Sequence, residues 1–310
     1  MAVLFRPVIP VDNSHWIPQM KRTLIHHDLR IWPDHGNKAD ITYMVAWKLF
    51  PGDAHEYPNL KAILSLSAGV NQYVGHPELP AHAQLIRMVE PGLSQGMREY
   101  VLSYALRFHR RHDHMKALSE ELPWGNSVPA LSHQRKIGVM GLGEMGMACV
   151  SALQSLGFAV NGWSRTPKDL PSVTCYAGLE GLDDFLGDSE ILICLLPLTP
   201  ETKGILNKDT LSKLPRGACI INAARGKHLV EDDLIPLLDS GQIDQVALDV
   251  FQEEPLPLTH PFRKHPRIHM TPHVAAITMP ETGAESLKTA IEQIEQGIRP
   301  KGWVDLKRGY

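Results

Sequence analysis

The segment Lys136-Ile-Gly-Val-Met-Gly141-Leu-Gly143-Glu-Met-Gly146 decides the fold. Its last three glycines have G-x-G-x-x-G spacing, follow a short apolar run and open a helix-forming stretch. Such a turn lets the backbone approach a pyrophosphate, and the helix that follows points free N–H groups and its positive dipole end at the phosphates. The segment therefore predicts a dinucleotide-binding strand–turn–helix, although an αβ turn without a ligand can have the same spacing.

On both sides of this turn, short apolar runs alternate with helical stretches. This alternation is typical of parallel sheets with right-handed crossovers. From the turn onward, the number of runs matches a doubly wound, Rossmann-type parallel sheet. These runs are residues 136–140, 159–163, 191–196, 218–222, 246–250 and 268–270. Apolar runs at residues 2–5, 41–47 and 62–66 predict a second, smaller α/β domain of flavodoxin-like type.

A chain of 310 residues is longer than one hydrophobic core usually organises, so two domains are expected. A helical stretch at residues 95–114 would connect them. We predict a dinucleotide-binding domain at residues 98–280. We predict a substrate domain at residues 1–97 plus 281–310, to which a last helix at about residues 281–297 returns.

The composition narrows the class of protein. The net charge of −3 provides no positive field for nucleic acid or anionic lipid, and no apolar run is long enough to cross a bilayer. The four cysteines form no C-x-x-C pair, which favours small buried side chains in a reducing compartment. We therefore expect a cytoplasmic protein that binds neither nucleic acid nor a membrane.

The second predicted strand of the dinucleotide domain ends in Ser164, Arg165 and Thr166, with Lys168 close by. An NAD site usually has an acidic residue here, which accepts hydrogen bonds from the ribose 2′-hydroxyl. A guanidinium, hydroxyl groups and an ammonium group would instead hold a 2′-phosphate. The turn thus predicts NADP(H), with NADH a poorer substitute, although a solvated charged turn would look the same.

Four more segments follow predicted strands, where open α/β sheets place their ligands. They are Leu195-Leu-Pro197-Leu-Thr199-Pro-Glu-Thr202, Ile221-Asn-Ala-Ala-Arg225-Gly226, Leu248-Asp249-Val-Phe-Gln-Glu-Glu254-Pro255 and Met270-Thr-Pro-His273-Val-Ala-Ala. A cation at Arg225, a carboxylate at Glu254 and an imidazole at His273 thus reach one rim of the sheet. Singly, these residues would also fit a surface ion pair, an exposed turn and a core histidine.

In order and spacing, the glycine turn and these segments resemble the D-2-hydroxyacid dehydrogenase family. Trp-Ser-Arg-Thr at residues 163–166 and the closing Arg-Gly-Tyr are similar to its bacterial glyoxylate and hydroxypyruvate reductases. The resemblance implies a homodimer that uses NADPH to reduce small 2-keto acids. Glyoxylate would give glycolate, and hydroxypyruvate would give D-glycerate.

The resemblance also assigns catalytic roles to Arg225, Glu254 and His273, and elementary chemistry agrees with them. A guanidinium fork at Arg225 can bind the substrate carboxylate and polarise the neighbouring carbonyl. His273 can donate the proton that the reduced carbonyl oxygen needs. A carboxylate at Glu254 would favour the imidazolium form of His273.

The motifs described above and the resemblance together assign the ligand contacts. Those to the cofactor are assigned to Gly141, Gly143, Met145, Gly146, Ser164, Arg165, Thr166, Pro197, Thr202, Ala223 and Asp249. Asp249 would accept from the nicotinamide carboxamide, unless it only ends a strand. Those to the substrate are assigned to Trp47, Gly69, Val70, Arg225 and His273. Trp47 would crowd the pocket and favour small substrates, although interdomain packing would explain it as well.

Other functions fit the sequence less well. Histidines at 109, 112 and 114 and at 260, 265, 269 and 273 invite a metal site, but prolines interrupt the second group, and no metal is expected. Formate-type oxidation would place glutamine at Glu254. A non-catalytic sensor or corepressor that responds to NAD(P) stays open as the alternative function.

Overall fold

The computed structural model describes residues 1–7, 14–52, 54–120, 124, 128 and 130–309. The chain divides into two compact units. Unit 1 comprises Met1–Leu93 and Ile277–Tyr310, and unit 2 comprises Ser94–Ala276. Both boundaries lie a few residues before the predicted ones at 97/98 and 280/281.

Short parallel strands and connecting helices make up both units. The strands are β1 Ala2–Arg6, β2 Asp28–Ile31, β3 Ile41–Ala46, β4 Ala62–Ser65, β5 Gln84–Ile86, β6 Lys136–Met140, β7 Ala159–Ser164, β8 Thr174–Ala177, β9 Ile191–Cys194, β10 Ala218–Asn222, β11 Ile243–Leu248 and β12 Ile268–Met270. The helices are α1 Trp16–Thr23, α2 Pro91–His109, α3 His112–Ser119, α4 Glu144–Ser155, α5 Leu182–Gly187, α6 Lys208–Leu211, α7 Glu231–Asp239 and α8 Pro280–Glu295.

The sheet of unit 1 has the strand order β2-β1-β3-β4-β5, with every pair parallel. This is the flavodoxin-like order, so the predicted fold class is confirmed for this unit. Its central strands are almost entirely apolar and buried, as expected for a parallel sheet covered on both faces. Helix α8 packs in this unit, where a side chain at Gly283 would collide with the Trp16 ring.

The sheet of unit 2 has the order β12-β11-β10-β9-β6-β7-β8, again all parallel. The chain reverses direction across the sheet between β6 and β9, as in a doubly wound Rossmann fold, and this prediction is also confirmed. Ligands of such sheets bind at this reversal, beyond the carboxyl ends of the strands. The segments that follow β6, β7, β9, β10, β11 and β12 therefore all lie at the edge of the sheet where these strands end.

Three strands that lie at sheet edges were not predicted from the sequence. Strands β2 and β8 are only partly buried, and β5 spans three residues. Short, partly polar strands lack the apolar run by which a buried strand is recognised.

The single helix predicted for residues 95–114 is wrong in two respects. It begins earlier, at Pro91, because the Glu90 carboxylate accepts from the N–H groups of Gly92 and Leu93 at 2.5 and 2.7 Å. It also breaks at Arg111, whose φ of 50° is left-handed and separates α2 from α3.

Among the residues that the structure describes, no helix is long and apolar enough to cross a membrane.

The last residue of α2, His109, is buried at 4% exposure against the edge of the Phe158 ring, with the ring centroids 5.0 Å apart. Burial lowers the pKa of His109 below its ordinary value of 6.5, and the charges of Arg135 and Arg110 lower it further. The folded protein therefore holds this imidazole in its neutral form.

This burial predicts a pH-dependent stability. The unfolded chain binds the His109 proton more readily, so the contribution is complete above a pH of about 6.5 and is lost as the pH falls through the lower folded-state pKa. We expect His109→Gln to make the free energy of unfolding less sensitive to pH below this value. Urea unfolding at a series of pH values measures it, and identical slopes for both proteins would contradict the prediction.

Candidate active site

The glycine turn has the geometry that its spacing predicts. Gly141 has a φ of 99°, and a Cβ there would lie 2.7 Å from the Leu195 carbonyl oxygen. A Cβ at Gly146 would overlap the Gly141 carbonyl oxygen, so α4 packs directly on the turn. Gly143 precedes α4 and faces open space, where the backbone is accessible to a phosphate. Met145 is half-buried in the first turn of α4.

At the end of β7, the three residues predicted to hold a 2′-phosphate differ in exposure. Arg165 and Thr166 are exposed, whereas Ser164 is 8% exposed and donates its hydroxyl to the Thr166 carbonyl at 2.8 Å. Because that proton is used within the turn, Ser164 shapes the turn in this arrangement. The Thr199 hydroxyl, with Arg165 contributing, lowers the pKa of Glu201, so a carboxylate lies within electrostatic range of Arg165.

The segment after β9 forms a compact loop at residues 197–202. The Thr202 hydroxyl donates to the Pro197 carbonyl at 2.7 Å and accepts from the Thr199 N–H at 2.9 Å. Leu195 N–H donates to the Met140 carbonyl, which ties the loop to the strand before the glycine turn. Together with the close approach of Gly141 to the Leu195 carbonyl, this bond places the start of the loop beside the glycine turn.

Beyond β10, Ala223 and Ala224 are buried, and the chain turns at Arg225. The Arg225 guanidinium donates to the Ala224 carbonyl at 2.7 Å. Burial lowers the pKa of Arg225, and the charge of Glu254 opposes this shift. A Cβ at Gly226 would overlap the Phe251 carbonyl, so only glycine lets this segment touch the one that contains Glu254.

Glu254 and His273 form a direct pair, with Oε2 2.7 Å from Nδ1. The other carboxylate oxygen, Oε1, accepts from the Phe251 N–H at 2.9 Å, so the carboxylate is held at both ends. The His273 side chain is 45% exposed. Since Nδ1 faces Glu254, Nε2 is the ring atom that can reach a substrate. Arg225, Glu254 and His273 therefore come together within unit 2.

The backbone at His273 is left-handed, with a φ of 57°, and the buried Asp249 holds it there. Asp249 Oδ1 accepts from the Thr271 hydroxyl at 2.6 Å and from the Val274 N–H at 2.9 Å. Oδ2 accepts from the Ala275 N–H at 2.8 Å, and the Asp249 carbonyl accepts from the His273 N–H at 2.8 Å. A carboxylate offers about four acceptor positions, and the three bonds to its two oxygens use most of them.

In unit 1, the residues predicted to bind substrate lie beyond β3 and β4. Trp47 follows β3 and is 47% exposed. Gln72 donates to the Trp47 carbonyl at 3.1 Å and to the Ser67 hydroxyl at 2.9 Å. Ser67 in turn donates to the Gly69 carbonyl at 2.7 Å, which fixes the turn. The Val70 side chain is buried.

Sequence reasoning missed several buried polar residues that support this site. Asn222 accepts from the Ala224 N–H at 3.2 Å and donates to the Arg225 carbonyl at 3.3 Å. Thr271 bridges Asp249 and the Tyr100 hydroxyl, and His228 contacts the backbone of Arg225. No local sequence signal marks these side chains, because asparagine, threonine and histidine are equally common as exposed polar residues, and only the folded chain shows which of them are paired inside it.

Within the described part of the chain, no group of three or more histidine, cysteine, aspartate or glutamate side chains is placed to hold a metal ion. His109 is buried at the end of α2, whereas His112 and His114 are exposed on α3. The fold and the three converging side chains point instead to dinucleotide-dependent chemistry.

The family model described as D-isomer specific 2-hydroxyacid dehydrogenase, NAD binding domain, matches residues 102–275. The chain belongs to this family. The predicted family is therefore confirmed, and unit 2 contains the family's nicotinamide-dinucleotide domain.

Individual relatives extend the match over the whole chain. Glyoxylate/hydroxypyruvate reductase A of Serratia proteamaculans is 40% identical over 304 residues, which cover 96% of this chain and 97% of the relative. A D-isomer specific 2-hydroxyacid dehydrogenase of Xanthobacter autotrophicus, solved with NADPH and MES, is 38% identical, with a TM-score of 0.94 over 100% of this chain and 99% of that one.

The NADPH-dependent glyoxylate/hydroxypyruvate reductase of Sinorhizobium meliloti was solved with NADP and sulfate. It is 31% identical to this chain, with a TM-score of 0.92 and complete coverage of both chains, 100% each.

The Asp249 network predicts a stability effect. In Asp249→Asn, an NH₂ group would replace one of the oxygens that now accept hydrogen bonds, so a donor would face a donor. We therefore expect this change to lower the free energy of unfolding by about 1–3 kcal/mol. The exposed change Asp169→Asn, in the same unit, should stay within about 0.5 kcal/mol of wild type. Urea denaturation measures both variants. Equal stabilities for the two would show that the Asp249 carboxylate is not needed to hold the turn.

Proposed function

We propose that this protein reduces small 2-keto acids with NADPH, converting glyoxylate to glycolate and hydroxypyruvate to D-glycerate. One observation supports the proposal most directly. The Glu254–His273 pair, joined at 2.7 Å, lies within electrostatic range of Arg225, on segments that follow neighbouring strands of a dinucleotide-binding sheet. Relatives that are named for this reaction, and that match nearly the full chain, support the same substrate class.

In this proposal NADPH, when bound, supplies the hydride. Arg225 binds the substrate carboxylate and polarises the keto oxygen, and its partial burial strengthens both contacts. As the keto carbon receives the hydride, His273 Nε2 donates a proton to the keto oxygen, which yields the 2-hydroxy acid. Glu254 holds Nδ1 at 2.7 Å and so orients the ring, with Nε2 free to face the keto oxygen.

The preference for NADPH rests on the turn after β7. Its exposed Arg165 and Thr166 provide a cation and a hydroxyl for a 2′-phosphate, and Lys168 is also exposed. Ser164 would join them only if its hydroxyl released the Thr166 carbonyl. Two of the similar structures contain NADPH or NADP. The nearby Glu201 would limit how strongly the site favours a doubly charged phosphate.

The other assigned contacts stay predictions of the same proposal. Pro197, Thr202, Ala223 and Asp249 would contact the cofactor, and the N–H groups of Gly69 and Val70 would hold the substrate carboxylate. Trp47 is exposed enough to limit the size of the substrate. We also infer that two copies of the chain associate, and that the protein works in the cytoplasm.

The decisive experiment follows NADPH oxidation by the purified protein with glyoxylate and with hydroxypyruvate. We expect rapid turnover by the wild type and a loss of about 10²–10⁴-fold in His273→Ala, the range that a general acid contributes. NADPH affinity, followed by fluorescence, should be unchanged in the variant. Tight NADPH binding by the wild type without turnover of either acid would refute the proposed substrates and favour a sensor.

A second prediction concerns the 2′-phosphate. Arg165→Asp replaces a charge-assisted hydrogen bond by repulsion, so we expect kcat/KM for NADPH to fall about ten- to a hundredfold, with a much smaller change for NADH. Lys116→Asp makes the same charge change at an exposed position on α3 and serves as the control. Equal losses with both cofactors would remove Arg165 from the recognition of the phosphate.

A further inference from the structure

His228 is fully buried three residues after Arg225, at the end of a short 3₁₀ turn, Gly226–His228. Its ring reaches two separate segments. Nδ1 lies 3.2 Å from the Arg225 nitrogen and 3.1 Å from the Arg225 carbonyl oxygen. On the opposite side of the ring, Nε2 lies 3.2 Å from the Pro197 carbonyl oxygen.

The partners of the ring determine where its proton lies. A carbonyl oxygen can only accept, so His228 Nε2 carries the hydrogen and donates it to Pro197. The Arg225 carbonyl lies 3.1 Å from Nδ1, but it already accepts from the backbone N–H of His228 at 3.1 Å and from Asn222 at 3.3 Å. Nδ1 is therefore left bare and accepts from the Arg225 N–H. Burial lowers the pKa of His228, and the carbonyls of Pro197 and Arg225 oppose this shift. The neutral ring with its proton on Nε2 is therefore the form that satisfies both segments.

Both segments belong to the site. The Pro197 carbonyl also accepts from the Thr202 hydroxyl, so the His228 ring is bonded to the loop at residues 197–202 at the point where that loop closes on itself. The backbone of Arg225 is held by His228 on one side and by Asn222 on the other. Further along, the N–H of Leu206 donates to the His228 carbonyl at 2.9 Å, which ties the two segments together a second time.

We propose that His228 is a positioning residue, which sets the loop at residues 197–202 and the backbone of Arg225 in one fixed register. The inference rests on the proposed function, because it takes that loop as part of the cofactor site and Arg225 as the group that binds the keto acid. His228 touches neither ligand in this account. Its two ring nitrogens serve two different ligands through two different segments.

This division can be tested by replacing one half of the imidazole at a time. In His228→Asn, the amide oxygen takes the place of Nδ1 and can accept from the Arg225 N–H, but the side chain is too short to reach Pro197. In His228→Gln, the amide nitrogen takes the place of Nε2 and can donate to Pro197, but no acceptor faces Arg225. His228→Phe keeps the ring and loses both bonds.

Two dissociation constants report separately on the bond of His228 to Pro197 and on its bond to Arg225, and neither requires turnover. One is the Kd of NADPH, and the other is the Kd of oxalate, a non-reacting analogue of a 2-keto acid, for the NADPH complex. A single hydrogen bond corresponds to about a three- to tenfold change. We expect His228→Asn to weaken NADPH by this factor and to spare oxalate, and His228→Gln to do the reverse. His228→Phe should weaken both, and kcat/KM for glyoxylate should follow the oxalate result.

His109→Gln, which replaces another buried histidine of unit 2, is the matched control and should alter neither constant. Equal effects of His228→Asn and His228→Gln on both constants, or no effect of either, would overturn the proposal. Thermal unfolding of each variant shows whether the fold is retained, and the Asn and Gln variants still test the idea if the Phe variant does not fold. If the wild type were inactive but the Asn and Gln variants still affected the two Kd values in opposite ways, the proposed reaction would be refuted and the positioning role of His228 would stand.

Discussion

The carboxylate of Asp249 is the interaction on which the site depends. A left-handed backbone at a residue other than glycine costs about 1–2 kcal/mol, and His273 adopts that conformation. Hydrogen bonds to a charged acceptor contribute about 1.5–3 kcal/mol each, and Asp249 accepts three of them from residues on both sides of His273. The strain is thus offset at the place where it arises, and the imidazole is directed towards Glu254.

Close backbone contacts bring the remaining parts of the site to this turn. The order of the parallel strands places the segments after β10, β11 and β12 side by side, and the glycine turn follows β6 at the same edge. Glycine then removes the last obstacle at two points. Gly226 lets the Arg225 segment touch Phe251, and Gly141 lets the glycine turn touch Leu195. Both contacts are between main-chain atoms. If either glycine were replaced, a change of side chain elsewhere could not restore the contact.

Much of this arrangement was predictable because its signals are local. Buried strands are recognisable as apolar runs, and the spacing of Gly141, Gly143 and Gly146 indicates a turn in which the positions of Gly141 and Gly146 exclude a side chain. The errors have the same origin. Strands β2 and β8 are only four residues long and partly exposed, so neither forms the longer buried apolar run by which the other strands are recognised. The break at Arg111 cannot be predicted from the residue type, because arginine is common in helices.

The sequence by itself determined the family and the two parallel sheets, and it predicted Arg225, Glu254 and His273 as candidate catalytic residues, since each depends on residue type, order and spacing along the chain. The tertiary structure alone decided which buried polar groups support them. Asp249 meets partners 22 to 26 residues away, and His228 reaches Pro197 across 31. Ser164 donates inward to Thr166, although its position in the motif suggested a phosphate contact. A buried donor or acceptor must be paired, but packing chooses the partner, and packing is a property of the folded chain.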